Sequence, residues 1–401
     1  MHPHIAKLYE SANKPHKLII GLMSGTSLDG LDVALCKISN HGMNTNIALL
    51  AFDTVAYDDD YKQKIRTVFA KRECDLEQVT LLHPWIGRLH GSMVNQCLAK
   101  WGVSADSIDV IASHGQTIYH CPKSQHGQDD FGHGTLQIGD SDHIAVTTGI
   151  TTLGDFRQKH IAAGGEGAPL AVYGDYLFFT SRTENRILLN MGGIANLTFL
   201  PQSAEASAVF SSDIGPGNTM MDAYMQQHFK PLSYDVDSKI ASQGQVNQAL
   251  LSALCDDPFF QQPFPKTTGP EVFNLQYLAR AQMLTNTTEL AHSDVMATLT
   301  RFSAQVIADA INRSSAALDS VSVYASGGGV HNPLLMEHIL FLCPQLTAIQ
   351  NTHVLGIHPD AKEAVLFAIL ANECLSGGQA RFGNTAQGIP DVTMGKVSFA
   401  D

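Results

Sequence analysis

Several signatures of catalysis and compartment are missing from this chain, and each absence narrows its function. No glycine-rich turn ends in Gly-Lys-Ser or Gly-Lys-Thr, which excludes the P-loop. No Gly-x-Ser-x-Gly elbow occurs, so the adjoining Ser113 and His114 lack the setting of a hydrolase nucleophile; consecutive strand residues also point to opposite faces. The seven cysteines are odd in number, scattered, and without a Cys-x-x-Cys pair. That argues against a disulfide framework and a structural zinc site, and predicts small buried hydrophobes. The group His114, His120, His126, His133 and His143 has neither His-x-x-x-His nor finger spacing, so surface or loop positions are expected. No apolar run approaches the length of a membrane span, and the opening Met1-His2-Pro3-His4-Ile5-Ala6-Lys7 lacks the apolar centre of a secretory signal. A cytoplasmic location is expected. Charge is sparse at 16% of residues and carries a net −13, which opposes binding to a nucleic-acid backbone.

What is present suits a globular enzyme. With 401 residues, 44% of them hydrophobic, the chain exceeds one ordinary core, so two domains with a cleft between them are expected. Two glycine-centred turns carry the most information. Gly25-Thr26-Ser27-Leu28-Asp29-Gly30 joins Lys17-Leu18-Ile19-Ile20-Gly21-Leu22-Met23 to a run in which Leu31, Val33 and Leu35 alternate at strand period. Met191-Gly192-Gly193-Ile194-Ala195-Asn196 repeats the design between residues 186–190 and 196–200. Either turn alone reads as an ordinary hairpin. As a pair they point to phosphate, because glycine lets a backbone approach an anion and the Thr26 and Ser27 hydroxyls can donate to its oxygens.

A second pair of segments also repeats, Asp109-Val110-Ile111-Ala112-Ser113-His114-Gly115 and Val321-Ser322-Val323-Tyr324-Ala325-Ser326-Gly327, each read as a short strand ending in Ala-Ser and a glycine turn. The order hairpin, strand, hairpin, strand predicts two copies of one α/β domain. Apolar spacing predicts helices over residues 74–100 and 295–317, and another after Asn332 as N-cap and Pro333. The Gly-rich stretch 162–169 reads as a hinge, residues up to about Pro15 as an extension outside the core, and the tail after Gly377 as loop.

Among candidate reactive groups, Asp213 precedes the rigid Gly215-Pro216-Gly217 turn, with Asn218 able to cap the next helix. It is either a general base or a turn-stabilising carboxylate. Asp29 and Asp32 face a similar choice between holding magnesium through water and shaping the turn. Gln116 and Thr117, at the carboxyl end of a strand, are placed to bind a polar substrate. Arg157 and Glu166 can meet a substrate's carboxylate or hydroxyls, or an ion-pair partner. Gly327, Gly328 and Gly329 before a helix suit close approach of an adenosine moiety, or a tight turn alone.

Taken together, residues 21–30, Ser113-His114-Gly115-Gln116-Thr117 and Ser326-Gly327-Gly328-Gly329 resemble the anhydro-N-acetylmuramic acid kinase family. Asp155-Phe156-Arg157, Asn190-Met191-Gly192-Gly193, Asp213 with Gly215-Pro216-Gly217-Asn218, and Glu363-Ala364 fall in the family's order, so the likeness runs from about Leu18 onward. The resemblance implies the sugar-kinase, chaperone-ATPase and actin superfamily, with duplicated ribonuclease-H-like domains at 1–152 plus 386–401 and at 153–385. It further implies that water opens the anhydro sugar and ATP phosphorylates its O6. In that scheme Asp213 activates the water. Gly25, Thr26, Ser27, Leu28, Asp29, Gly30, Leu31 and Asp32 hold the ATP phosphates, Gly192 and Gly193 close from the other side, and Gly327, Gly328 and Gly329 border the nucleoside. Magnesium sits at Asp29, while Gln116, Thr117, Arg157, Glu166 and Glu363 contact the sugar. A homodimer is implied as well. Three positions depart from the family's pattern: Glu166 where glutamine is usual, His160 where aspartate is usual, and Pro270 where an arginine follows Lys266-Thr267-Thr268-Gly269. The competing readings are a kinase for a free hydroxyl of another amino sugar and an actin-like or chaperone-like ATP switch.

Overall fold

The computed structural model describes every residue except Thr26, Ser27, Pro169, 378–381, 384–387 and Asp401. The chain forms two compact units, one made of Met1–Phe179 with Gly356–Asp401 and the other of Thr180–Leu355.

In the first unit β1 (His16–Ser24), β2 (Gly30–Ser39) and β3 (Asn46–Ala56) form an antiparallel meander. On the other side of β1 lie β4 (Val110–Cys121) and then β6 (Thr152–Gly154), both parallel to it, while β5 (Gly134–Ile138) pairs with the outer half of β4. The second unit repeats the plan. There β7 (Arg186–Met191), β8 (Ile194–Leu200) and β9 (Phe210–Pro216) make the meander, and β10 (Ser322–Ser326) and β11 (Ile349–Asn351) continue in parallel from β7. This is a duplicated ribonuclease-H-like α/β arrangement, as the repeated segments predict.

Both faces of the first sheet are covered, which is why β1 reads as a nearly unbroken apolar run. Ile20 and Leu22 pack with Leu31, Val33 and Leu35 and with Ile86, Val94 and Leu98 of the helix Leu76–Trp101. Against the opposite face lies the helix Lys362–Ser376, whose residues from Ala364 to Glu373 are all buried. A helix apolar around its whole circumference needs cover on every side. Gly21 makes the approach possible, since a Cβ there would fall 1.8 Å from the Ala364 carbonyl oxygen. This packing also moves the domain boundary. The units divide after Phe179 and after Leu355 instead of near 152 and 385, because the helix Ala171–Phe179 packs on Lys362–Ser376 and both belong with the first sheet.

Other expectations are refined. The helices over 74–100 and 295–317 are Leu76–Trp101, capped by the Asp75 side chain, and His292–Ser315. Asn332 caps Pro333–Leu342 through the Leu335 N–H as expected, whereas Asn218 makes no side-chain cap bond and donates to the Met191 carbonyl. The strand after Asp109 does not stop at Gly115; with φ +75° that glycine lets β4 pass within reach of the Ile138 carbonyl and continue. The extension before Pro15 contains the helix Pro3–Asn13, and the following Lys14 is tied by its ammonium to buried Asp109 at 2.6 Å. Part of the tail is β12 (Lys396–Ser398), antiparallel to β6. Of the seven cysteines, all free, Cys36, Cys97 and Cys343 are buried while Cys74 is exposed, where a buried hydrophobe was expected. No helix among the described residues is long and apolar enough to cross a membrane.

Replacing Gly21 with Ala must push the helix Lys362–Ser376 off its sheet, at a cost of about 1–3 kcal/mol or more. A thermal denaturation midpoint equal to that of the unmodified protein would show that the helix is not seated this way.

Candidate active site

The first glycine turn leaves β1 at Ser24 and enters β2 at Gly30. Thr26 and Ser27 lie outside the described residues. Of the others expected on phosphate, Leu28 is buried with φ +58° and Leu31 is 1% exposed within the core, so their side chains shape the turn and face away from a ligand. Gly30 is dictated by packing, because a Cβ would sit 2.7 Å from the Val55 carbonyl oxygen. Exposed Asp29 accepts the Gly30 N–H on Oδ1, while half-buried Asp32 accepts from the Thr54 hydroxyl. Burial, with the charges of Asp29, Glu363 and Asp360 adding and the Thr54 bond opposing, pushes the Asp32 carboxyl up to about 6.

Gln116 corrects the expectation that it binds substrate. It is fully buried, and its amide is saturated by the protein. Oε1 accepts from Ser24 Oγ at 2.6 Å and the Tyr61 hydroxyl at 3.0 Å, while Nε2 donates to the carbonyls of Gly25 and Thr117 at 3.2 and 3.1 Å. Gln116 therefore holds the start of the first glycine turn. Because Ser24 Oγ donates to the amide, it accepts from Tyr57, whose hydroxyl in turn meets His90 Nε2 at 2.9 Å. Burial pulls His90 down to about 3, so it is the neutral donor at the end of this chain.

Beside the turn is a cavity of about 350 Å³ lined by Gly25, Thr117, Arg157 and Glu363 of the expected residues, and by His114, Gln137 and others that sequence reasoning did not assign to substrate. Its floor is electrostatically tense. Arg157 donates from Nε to His114 Nε2 at 3.0 Å and from Nη1 to the Gly167 carbonyl at 2.7 Å. Burial first, and then the Arg157 charge, pull His114 well below its ordinary range, so it is a neutral acceptor and not the surface histidine expected. Burial raises the Glu363 carboxyl and Asp29 adds to it, against the lowering effects of Lys362 and Arg157. His160, also buried, accepts the Gly167 N–H on Nδ1, and a Cβ at Gly165 would meet its ring at 2.2 Å. The neutral imidazole thus pins the glycine-rich stretch against Arg157. Glu166 is exposed, 3.6 Å from His133, and does not line the cavity; its neighbour Ala168 does.

In the second unit the other glycines do assemble. The N–H groups of Gly217, Asn218 and Thr219 donate to the carbonyls of Gly193, Gly192 and Gly193 at 2.9–3.0 Å, clamping the second turn from behind. Gly217, Gly327 and Gly329 are forced by packing, with Cβ positions 2.3–2.6 Å from Gly192 O, Asn190 Oδ1 and Met191 Cβ. Gly192, Gly193 and Gly328 are not: among the described residues nothing comes nearer than 3.6 Å to a Cβ there. Packing among the described residues does not demand glycine at these three positions, which is the pattern of a surface kept bare for a ligand. On β9, Asp213 is partly buried and its Oδ2 accepts the Thr268 N–H at 3.0 Å, while no partner of Oδ1 is found among the described residues. Burial raises its carboxyl above the usual range, with Glu271 adding and the Thr268 bond opposing.

The sequence model of the anhydro-N-acetylmuramic acid kinase family matches residues 17–395. The chain belongs to that family. Relatives named anhydro-N-acetylmuramic acid kinase include proteins of Pseudoalteromonas atlantica, 72% identical, and Pseudoalteromonas translucida, 69% identical, each over the whole of both chains. A third, from Caldanaerobacter subterraneus, is 36% identical over 98% of this chain and 100% of its own. Membership of the anhydro-N-acetylmuramic acid kinase family makes the chain an ATP-dependent kinase. The ATP-switch and free-hydroxyl readings are not favoured.

Since Gly193 has room for a methyl group, Gly193→Ala is expected to leave the thermal midpoint unchanged and to raise KM for ATP by about tenfold. An unaltered KM would mean that the nucleotide does not approach this turn.

Proposed function

We propose that the chain hydrolytically opens 1,6-anhydro-N-acetylmuramic acid and phosphorylates the freed O6 with ATP, giving N-acetylmuramic acid 6-phosphate and ADP in cell-wall recycling. The observation that carries the reading is the half-anchored carboxylate of Asp213. One oxygen is fixed by a backbone N–H and the other is left to accept a proton, in surroundings that raise its basicity. In the anhydro sugar O6 is bonded to C1, so no 6-hydroxyl exists to deprotonate. Asp213 instead takes a proton from water as its oxygen bonds to C1. The C1–O6 bond breaks, and O6 receives the γ-phosphoryl group as ADP leaves.

The cavity of the first unit is of monosaccharide size. Arg157 is suited to the sugar's carboxylate, and Thr117 and Glu363 to its hydroxyls. Gly25 and the turn after it, with Gly192 and Gly193, hold phosphates, and Gly327, Gly328 and Gly329 border the nucleoside.

Among the described residues no cluster of three or more His, Cys, Asp or Glu could by itself hold a metal ion. Magnesium asks for less, usually one or two carboxylates with phosphate and water. Asp29 and Asp32 fit this need, the second raised partly by neighbouring carboxylates that a cation would offset. Bound there, magnesium would neutralise charge on the transferring phosphoryl group. The reading includes a cytoplasmic location and a homodimer, and sedimentation of the purified protein tests the second.

In water enriched in heavy oxygen, the label should appear at the anomeric oxygen of the product; an unlabelled product removes ring opening by water. Asp213→Asn should lower kcat by at least about a hundredfold. Because the carboxyl is raised, activity of the unmodified enzyme should fall with decreasing pH at a value above that of an ordinary aspartate.

A further inference from the structure

The segment between the helices Pro258–Gln261 and Leu275–Thr285 runs alongside β9 and is fastened to it at two successive residues. Lys266 N–H donates to Ser212 Oγ at 2.9 Å, and the Lys266 carbonyl accepts the Asp213 N–H at 3.0 Å. Two residues later the Thr268 N–H reaches Asp213 Oδ2. The Lys266 side chain turns the other way. It is 9% exposed, its ammonium donates to the carbonyls of Phe259 at 2.7 Å and Phe260 at 3.3 Å, and it lies 4.2 Å from the Phe259 ring centre. Arg313 reinforces the same end, donating to the carbonyls of Phe260 and Gln262 at 2.7 and 2.9 Å.

A buried ammonium is costly unless fully engaged, and these partners are carbonyls and aromatic faces, not a carboxylate. Its chemistry is that of a fastener. Burial first, then Arg313, pull it down to about 8, so it remains mostly charged at neutral pH.

We propose that Lys266 is the positioning residue of the Asp213 carboxylate, locking the segment that presents the Thr268 N–H to Oδ2 and so leaving Oδ1 to the reacting water. This rests on the reading of Asp213 as base. A slide of the segment by one residue along β9 would withdraw that N–H, and both carboxylate oxygens would then be free to rotate. Glu271 faces Asp213 from the same segment, and a Cβ at Gly269 would strike its carboxylate at 2.2 Å, so loosening the segment also alters the nearest negative charge.

The test is the pH dependence of kcat in Lys266→Met, which keeps the stem and removes the ammonium. The acid limb should move upward by roughly half to one pH unit, since the lost N–H favoured the ionised form. KM for ATP should stay within about twofold, because the nucleotide glycines are untouched. Lys266→Arg should return the limb toward its original position. A folded Lys266→Met enzyme whose acid limb is unmoved overturns the proposal. If that variant does not fold, Arg313→Gln is read by the same criterion, an upward shift supporting the proposal and an unmoved limb refuting it. Asp213→Asn is assayed in parallel: retained turnover would instead remove the base assignment on which the proposal stands.

Discussion

The first unit's reactive edge depends on one side-chain amide. Gln116 satisfies all four of its hydrogen-bonding positions inside the protein, two as acceptor and two as donor, and in doing so ties the end of β1 to β4. Each lost partner in so buried a place costs about 1–3 kcal/mol. The amide cannot be turned over, because its nitrogen faces two carbonyls and its oxygen two hydroxyls. That orientation fixes the donors and acceptors back through Ser24 and Tyr57 to His90. The turn after Ser24 thus begins from a rigid point, and the same nitrogen holds the Thr117 carbonyl at the cavity wall.

The two hairpins share a topology and divide their glycines by different rules. Gly30 is required by the backbone of β3, whereas nothing among the described residues near Gly192 and Gly193 requires glycine there. A repeated motif therefore does not give repeated roles. Positions forced by packing keep the fold, and the ones that packing leaves open are those proposed to meet the nucleotide.

The fold was largely legible in the sequence, since alternation around the two turns and three- and four-residue spacing in the long helices are direct consequences of burial on one or two faces. Gly115 misled the reading because a glycine in a strand looks like its end; only the neighbouring β5 shows why the chain continues. The domain boundary escaped for a related reason. The apolar circumference of Lys362–Ser376 announces that it is covered, not by which sheet. In the site, Gly25, Thr117, Arg157 and Glu363 line one cavity, and Gln116 and Glu166 do not line it with them. Polarity beside a strand end cannot tell a wall from the buttress behind it. The role of His160 was hidden as well, because its partner is a backbone N–H seven residues away.

The placement of the helix Lys362–Ser376 has a consequence for biosynthesis. The second unit is a continuous stretch, Thr180–Leu355, with every strand of its sheet in hand once that stretch has emerged. The first has its meander early but lacks the cover for one face until nearly the whole chain has been translated. During that interval Gly21 and its neighbours on β1 stand without the helix that shields them, so the nascent polypeptide carries an open apolar sheet past the completion of its inserted partner.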